Sequence, residues 1–205
     1  MGDLIGGAYP AIAPEYLLQA LSPADASRVV RQNMSRTAIA TDITAALSTG
    51  VMLSVALPLQ AGDIVTKLTF KSGATAAGTP THWWFALYDP LGNLLGQTAD
   101  QLTAAWAADT TMDLPLTTPY QVGGQAGQLP PNYAGPGAYR AAVMVAATTP
   151  PSLVGLTLAR AAVSTGIYTT DRVLAQTSGS TLTTTAPATI ASPTAVTSLV
   201  WAGAH

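Results

Sequence analysis

Two histidines, His82 and His205, and ten acidic residues are the first candidates for acid–base chemistry and metal binding in this 205-residue chain. Cysteine is absent, so no thiolate can hold a metal and no disulfide can form. A structural zinc needs four ligands, and two histidines far apart in the chain do not supply them. The simpler reading of each is a surface or strand-end histidine. Asp89, Asp100, Asp109 and Asp113 lie within one segment. Two of them facing each other across a cleft would make a glycosidase pair, and a tighter cluster would suit calcium. Each also fits the ordinary role of a turn or loop-end aspartate. No G-x-S-x-G elbow, Walker loop or G-x-G-x-x-G fingerprint occurs. The residues therefore predict no catalytic group, no metal and no cofactor, and a protein that is not an enzyme.

Binding chemistry has more candidates. Trp83 and Trp84 are adjacent in an alternating segment, so their side chains should point to opposite faces of a strand. One should anchor the core. The other would meet solvent, a subunit interface or a sugar ring, unless both lie inside one thick core. Arg28, Arg31 and Arg36 gather three of the eight basic residues near the N-terminus. Arg28 and Arg31 would share a helical face, either as a solvated surface or as a contact for an acidic partner. Leu17, Leu18 and Leu21 form an apolar side of a short helix beginning near Pro14 and Glu15. A second short helix would start at Ser22-Pro23, dock through Val29 and Val30, and end at Asn33. Neither reaches the roughly 12–15 residues that a lone helix needs, so each must fold against its own domain or a partner.

The elements behind these residues fall into three regions. Residues 1–42 form an arm with short helices. Residues 43–160 alternate as strands. Residues 161–205 are Thr- and Ala-rich, and would complete the sandwich or contact neighbouring subunits. In the middle region Val51, Leu53, Val55, Leu57 and Leu59 share a face, and Ile64, Leu68 and Phe70 share another, opposite Val65, Lys67 and Lys71. Gln60–Asp63 would join these two runs as a hairpin-type loop. Asp89-Pro90-Leu91-Gly92-Asn93 is a turn, because proline presets one dihedral and glycine supplies a positive one. Leu94 to Thr98 then returns antiparallel. Thr111 to Thr117, broken by Pro115, suits a sheet edge. Tyr139, Ala141, Val143 and Val145 alternate with Arg140, Ala142 and Met144. The Gly/Pro-rich stretch between Gln121 and Gly137 predicts an exposed loop. Seven or eight short strands separated by Gly/Pro turns predict an all-β, antiparallel β-sandwich of jelly-roll type.

Composition narrows the partners. Only 9% of residues are charged, against roughly 25% in average proteins, and Glu15 is the sole glutamate. A chain so poor in charge has little to keep free copies dispersed, which suits a component of an assembly. A net charge of -2 without a basic stripe argues against nucleic acid. No apolar run approaches the roughly 18 residues of a membrane span, and the start lacks the pattern of a secretory leader.

Several segments then occur in a telling order: W-F-A-L-Y-D, G-N-L-L-G-Q-T-A-D, A-A-W-A-A, L-T-T-P-Y, a G-x-Y strand and A-A-T-T-P-P. Over about residues 57–155 the chain resembles the small virion-surface proteins, often labelled minor tail proteins, of tailed phages that infect actinobacteria. The resemblance implies an all-β module displayed on a virion and carries no catalytic residue across. It leads to the expectation of a structural subunit, either capsid decoration or minor tail protein. Such a subunit is made in the host bacterial cytoplasm, anchored by the arm to other virion proteins, and associated as a homotrimer. The alternative is a carbohydrate-binding module that attaches to host-surface glycans.

Overall fold

The computed structural model describes residues 31–39, 41–123, 137–158 and 173–205. Leu17, Leu18, Leu21 and Arg28, both expected helices up to residue 30, and the interior of the Gly/Pro loop lie outside them. The described residues form thirteen strands: β1 (Arg31–Gln32), β2 (Thr41–Ile43), β3 (Met52–Leu59), β4 (Ile64–Lys71), β5 (Gly78–Tyr88), β6 (Leu94–Gln97), β7 (Thr111–Gln121), β8 (Gly137–Thr149), β9 (Leu153–Thr157), β10 (Ala175–Ser178), β11 (Thr194–Ala195), β12 (Ser198–Val200) and β13 (Ala202–Ala204). One 3-10 turn lies at Arg36–Ala38. The strands make an antiparallel, all-β sandwich. A six-stranded sheet, β11-β10-β3-β8-β5-β6, faces a four-stranded sheet, β1-β13-β4-β7, and a three-stranded sheet, β12-β9-β2, closes one side.

Apolar alternation drives the packing. Leu53, Val55 and Leu57 of β3, Trp83, Phe85 and Leu87 of β5, and Tyr139, Ala141, Val143 and Val145 of β8 all turn into one core. Leu68 and Phe70 of β4 meet them from the opposite sheet, with the Phe70 and Phe85 rings 4.7 Å apart. Pro115 and Pro119 lie within β7, which has an edge position in its sheet, as the missing N–H of proline requires. The turn after β5 forms as expected. Asp89 Oδ1 accepts from the N–H groups of Leu91 and Asn93, each at 2.8 Å, and Gly92 takes a φ of 89°.

Several expectations are corrected. Gln60–Asp63 is not a hairpin loop, because β3 and β4 belong to different sheets. Here, and again from β4 to β5, the chain crosses the core, as it does in jelly rolls. Val65 is buried beside Leu68 and Phe70 while Ile64 is exposed, the reverse of simple alternation. An irregularity between Val65 and Lys67 shifts the pairing of β4 with β7, and this exchanges the faces. The boundary expected at residue 42 falls inside the folded unit, since β1 and β2 pair within the sheets and Ile43 enters the core. Residues 31 and 32 are strand rather than helix. Asn33 extends their pairing to β13 with its side chain, donating to Val200 O at 2.8 Å and accepting from Ala202 N at 2.9 Å. The tail after residue 173 completes all three sheets through β10, β11, β12 and β13.

The six-stranded sheet is buried on both sides. On its outer face Met52, Trp84, Ala86, Tyr88, Ala142 and Met144 form a second core, covered by Leu182, Ala186 and Ile190. Residues 179–193 thus act as a strap. Trp84 Nε1 donates to Thr183 O at 2.7 Å, and Tyr88 Oη donates to Pro187 O at 2.9 Å. Burial pushes the Tyr88 phenol well above its ordinary range.

At the closed side, β9 lies between β12 and β2 with Gly155 at the crossing. A Cβ there would stand 2.7 Å from Val200 Cα and closer still to Leu199 O, and both atoms are backbone. Gly155→Ala must force the strands apart and should destabilise the fold by about 1–3 kcal/mol. A lower denaturant midpoint at unchanged slope is the expected result, and an unchanged midpoint would contradict this packing.

Candidate functional site

The two ends of the sandwich differ. At one end lie the Gln60–Asp63 crossing, the Asp89–Asn93 turn and the points, Gly123 and Gly137, where the chain leaves and rejoins the described structure. Arg31, the first described residue, is directed toward this same end, because it pairs with Ala204, which pairs in turn with Leu68 of β4. Val173 re-enters there too, its carbonyl held by Arg140 Nη2 at 2.8 Å. This is the arm end. The opposite, distal end carries the loops before β3, after β4 and after β6.

Arg31 is tied to the sandwich by its side chain. Its guanidinium grips Asp63 with two hydrogen bonds, Nε to Oδ2 at 2.7 Å and Nη2 to Oδ1 at 2.9 Å, and Nη2 also reaches Gln60 Oε1 at 2.9 Å. Gln60 N adds a hydrogen bond to Asp63 Oδ2 at 2.8 Å. Arg31, expected as a partner contact, is thus engaged within its own chain. Arg36 stands exposed in the 3-10 turn, where Ser35 Oγ accepts from Thr37 N. Partial burial pushes the Asp63 carboxyl up. The Arg31 hydrogen bond, the Gln60 N–H and the Arg31 charge outweigh that, and hold it below the ordinary 3.8.

Neither expected tryptophan face is open. Trp83 turns inward and stacks on Trp106, with centroids 5.1 Å apart, while its Nε1 donates to Ala104 O at 2.8 Å. Trp84 turns outward, but the strap covers it completely. The adjacent side chains do point to opposite faces, yet each face has its own core. The expected interface or glycan contact at Trp83 or Trp84 is therefore not presented by this fold. The sequence held only a weak sign of the strap, in Leu182, Ala186 and Ile190 spaced along a polar tail.

Each histidine has a carboxylate neighbour, which sequence separation had hidden. His82 Nδ1 lies 2.6 Å from Asp100 Oδ2, and Asp100 Oδ1 accepts from the N–H groups of Trp83 and Leu102. His205 Nε2 lies 2.8 Å from the Thr69 hydroxyl, which donates to Asp113 Oδ1 at 2.6 Å. Thr69 is buried while the Asp113 side chain stays 41% exposed, and the group ties the residue after β13 to β4 and β7. The four aspartates have separate duties. Asp89 caps its turn at the arm end, Asp100 braces the distal loop, and Asp113 sits on β7 beside Thr69. Asp109, at positive φ, lends its carbonyl to Lys71 Nζ. Among the described residues no three His, Asp or Glu side chains are grouped to hold a metal.

No protein-family model matches the chain, and no curated protein matches it.

Two measurements check this geometry. The Arg31 clasp should contribute stability at neutral pH, so Arg31→Ala should cost about 1–2 kcal/mol. Because the folded carboxyl titrates lower than the unfolded one, that contribution is present above about pH 4 and fades as pH falls through the lowered value. Asp63→Asn should remove this part of the acid dependence of unfolding. Separately, all four tryptophans, Trp83, Trp84, Trp106 and Trp201, are buried. Their emission should be blue-shifted and resist iodide quenching. A readily quenched component would contradict the strap over Trp84.

Proposed function

We propose that this chain is a structural, non-enzymatic subunit of a tailed-bacteriophage particle, displayed on the capsid or tail and held there through residues 1–30. The observation that carries the reading is the clasped arm root. A sandwich whose sheet faces are satisfied internally receives its N-terminal segment at one end, through β1 and the Arg31–Asp63 pair. A pull on the arm is then borne by a strand pairing and a bidentate ion pair rather than by a loose tether. Leu17, Leu18, Leu21 and Arg28 lie in that segment and supply the apolar and basic contacts for a neighbouring virion protein.

Three further features support it. The segments that resemble virion-surface proteins of actinobacterial phages build the working parts of the sandwich. W-F-A-L-Y-D is the core of β5 with its turn, A-A-W-A-A is the distal loop, and L-T-T-P-Y lies in β7. The scarcity of charge suits a surface that spends its life against other subunits, copies of itself in a homotrimer included. The sheets also meet at seams, through Thr98 with Leu116 and Ser72 with Leu153. Assembly therefore runs through the ends and the arm more readily than through strand pairing along those edges. The carbohydrate-binding alternative rested on an exposed tryptophan, and with both rings buried it loses that support.

Two truncations test the proposal. Removal of residues 1–30 should leave a cooperatively folded sandwich that no longer enters particles. Removal of residues 1–42 takes away β1, β2 and the Arg31 clasp and should unfold or severely destabilise it. Incorporation of the shorter truncation at the full-length level would overturn the anchoring role.

A further inference from the structure

The outer face of the six-stranded sheet carries two kinds of side chain. On β8 and β5 it is largely the apolar core beneath the strap. On β3 and β10 it turns polar. The register places Ser54 opposite Ala142 and Gln176, and Ser178 opposite Met52. Met52 and Ala142 belong to the outer core, and residues directly opposite in antiparallel strands share a face. Ser54, Gln176 and Ser178 therefore lie on that face too. All three are buried: Ser54 is wholly inaccessible, and Gln176 and Ser178 are 5% and 7% exposed. The strap passes around them. It leaves β10 at Ser178, reaches Gly92 O through Ile190 N beside β5, and returns to β10 as β11, where Thr194 pairs with Thr177. Because β8 and β3 separate β5 from β10, residues 191–193 pass back across the sheet.

Buried hydroxyls in folded proteins find hydrogen-bond partners with few exceptions. Thr69, Ser72, Thr98 and Ser152 each have one here. Ser54 Oγ and Ser178 Oγ meet none within the chain. These two exceptions are diagonal neighbours on adjacent strands, since Ser178 lies two residues beyond the partner of Ser54. Such positions are about 7–8 Å apart at the backbone and closer at their side chains. We infer that bound water bridges Ser54 Oγ and Ser178 Oγ and also meets the Gln176 amide. A buried water makes about three hydrogen bonds to groups the chain leaves unsatisfied. These side chains offer that number, and a hydroxyl or an amide can serve as donor or acceptor. A charged ligand fits less well. The nearest charged side chain, Arg140, lies on the side of Ser54 away from Ser178 and donates to Val173 O. The strap thus covers a dry half of the outer face over Trp84 and Tyr88 and a hydrated half over β3 and β10.

Two measurements on the full chain test this. A high-resolution crystal structure should show ordered density within hydrogen-bond distance of Ser54 Oγ and Ser178 Oγ. A structure in which both hydroxyls remain without a partner would overturn the water site. Thermal melts of Ser54→Ala, Ser178→Ala and the double variant read the same question in solution. Each single variant removes one partner of a shared water, so each should lower the melting temperature by about 2–4 °C. The double variant should lose less than the sum, because both sites act through one bridge. Hydroxyls buried without water would give the opposite sign, since deleting an unpaired polar group relieves its burial cost. Melting temperatures that rise in both single variants and add in the double would overturn the inference.

Discussion

The whole structure depends on burying the six-stranded sheet on both faces. Antiparallel sheets commonly leave one face to water. Here β8 and β5 carry large apolar side chains on each side, Tyr139, Val143, Val145 and Phe85 inward, Met144, Trp84 and Tyr88 outward. The inner face is covered by β4 and β13. The outer face has no second sheet, and leaving Trp84, Tyr88 and Met144 wet would cost several kcal/mol. The strap of residues 179–193 removes that cost. It does so without a helix or sheet of its own, by offering carbonyls to the polar tips of the two aromatics and three apolar side chains to their bodies. Gly50 and Gly92, both at positive φ, supply further backbone partners to Leu182 and Ile190. Amphipathic aromatics need an apolar body contact and a polar partner at once, and the strap provides both.

The tail after the strap is equally committed. β13 inserts between β1 and β4, so the final strand is interior to its sheet rather than an addition at its rim. His205 continues this pairing, its N–H donating to Lys67 O at 3.1 Å and its carbonyl accepting from Thr66 Oγ1 at 3.0 Å. The Thr- and Ala-rich stretch thus lacks a core of its own but supplies parts of all three sheets. This fold is closed by contacts distant in sequence, the kind that forms slowly because loop closure precedes reward.

Side-chain pairs hold both ends of the sandwich. Arg31 with Asp63 and Gln60 binds the arm end, and His82 with Asp100 braces the distal loop. In a chain with 9% charged residues these pairs serve geometry rather than solubility. The first fixes where the N-terminal segment meets the sandwich, and the second holds the backbone around Leu102. Among the described residues, these two pairs place charge where the chain holds a particular shape, at Arg31 and in the loop after β6.

Much of the fold was legible because strand alternation is a local property. The faces of β3 and β8, the Asp89 turn and the edge position of β7 all follow from residue types within a few positions. Alternation fails where a bulge intervenes, and so Ile64 and Val65 exchanged places. The gap between Gln60 and Asp63 has hairpin length, yet length alone does not say that the chain crosses to another sheet. Arg31 was legible as a cation but not as part of a clasp, because Asp63 lies on a loop that only the sandwich brings near. Trp83 and Trp84 were legible as opposite-facing, since the pleat alone requires it. That both faces are dry was decided by the strap, a segment nearly a hundred residues away in sequence. The amino-acid order by itself determined an all-β, charge-poor sandwich and the direction of most side chains. Tertiary structure decided which of those directions meet water, because burial depends on what packs above a face, and local periodicity carries no record of that.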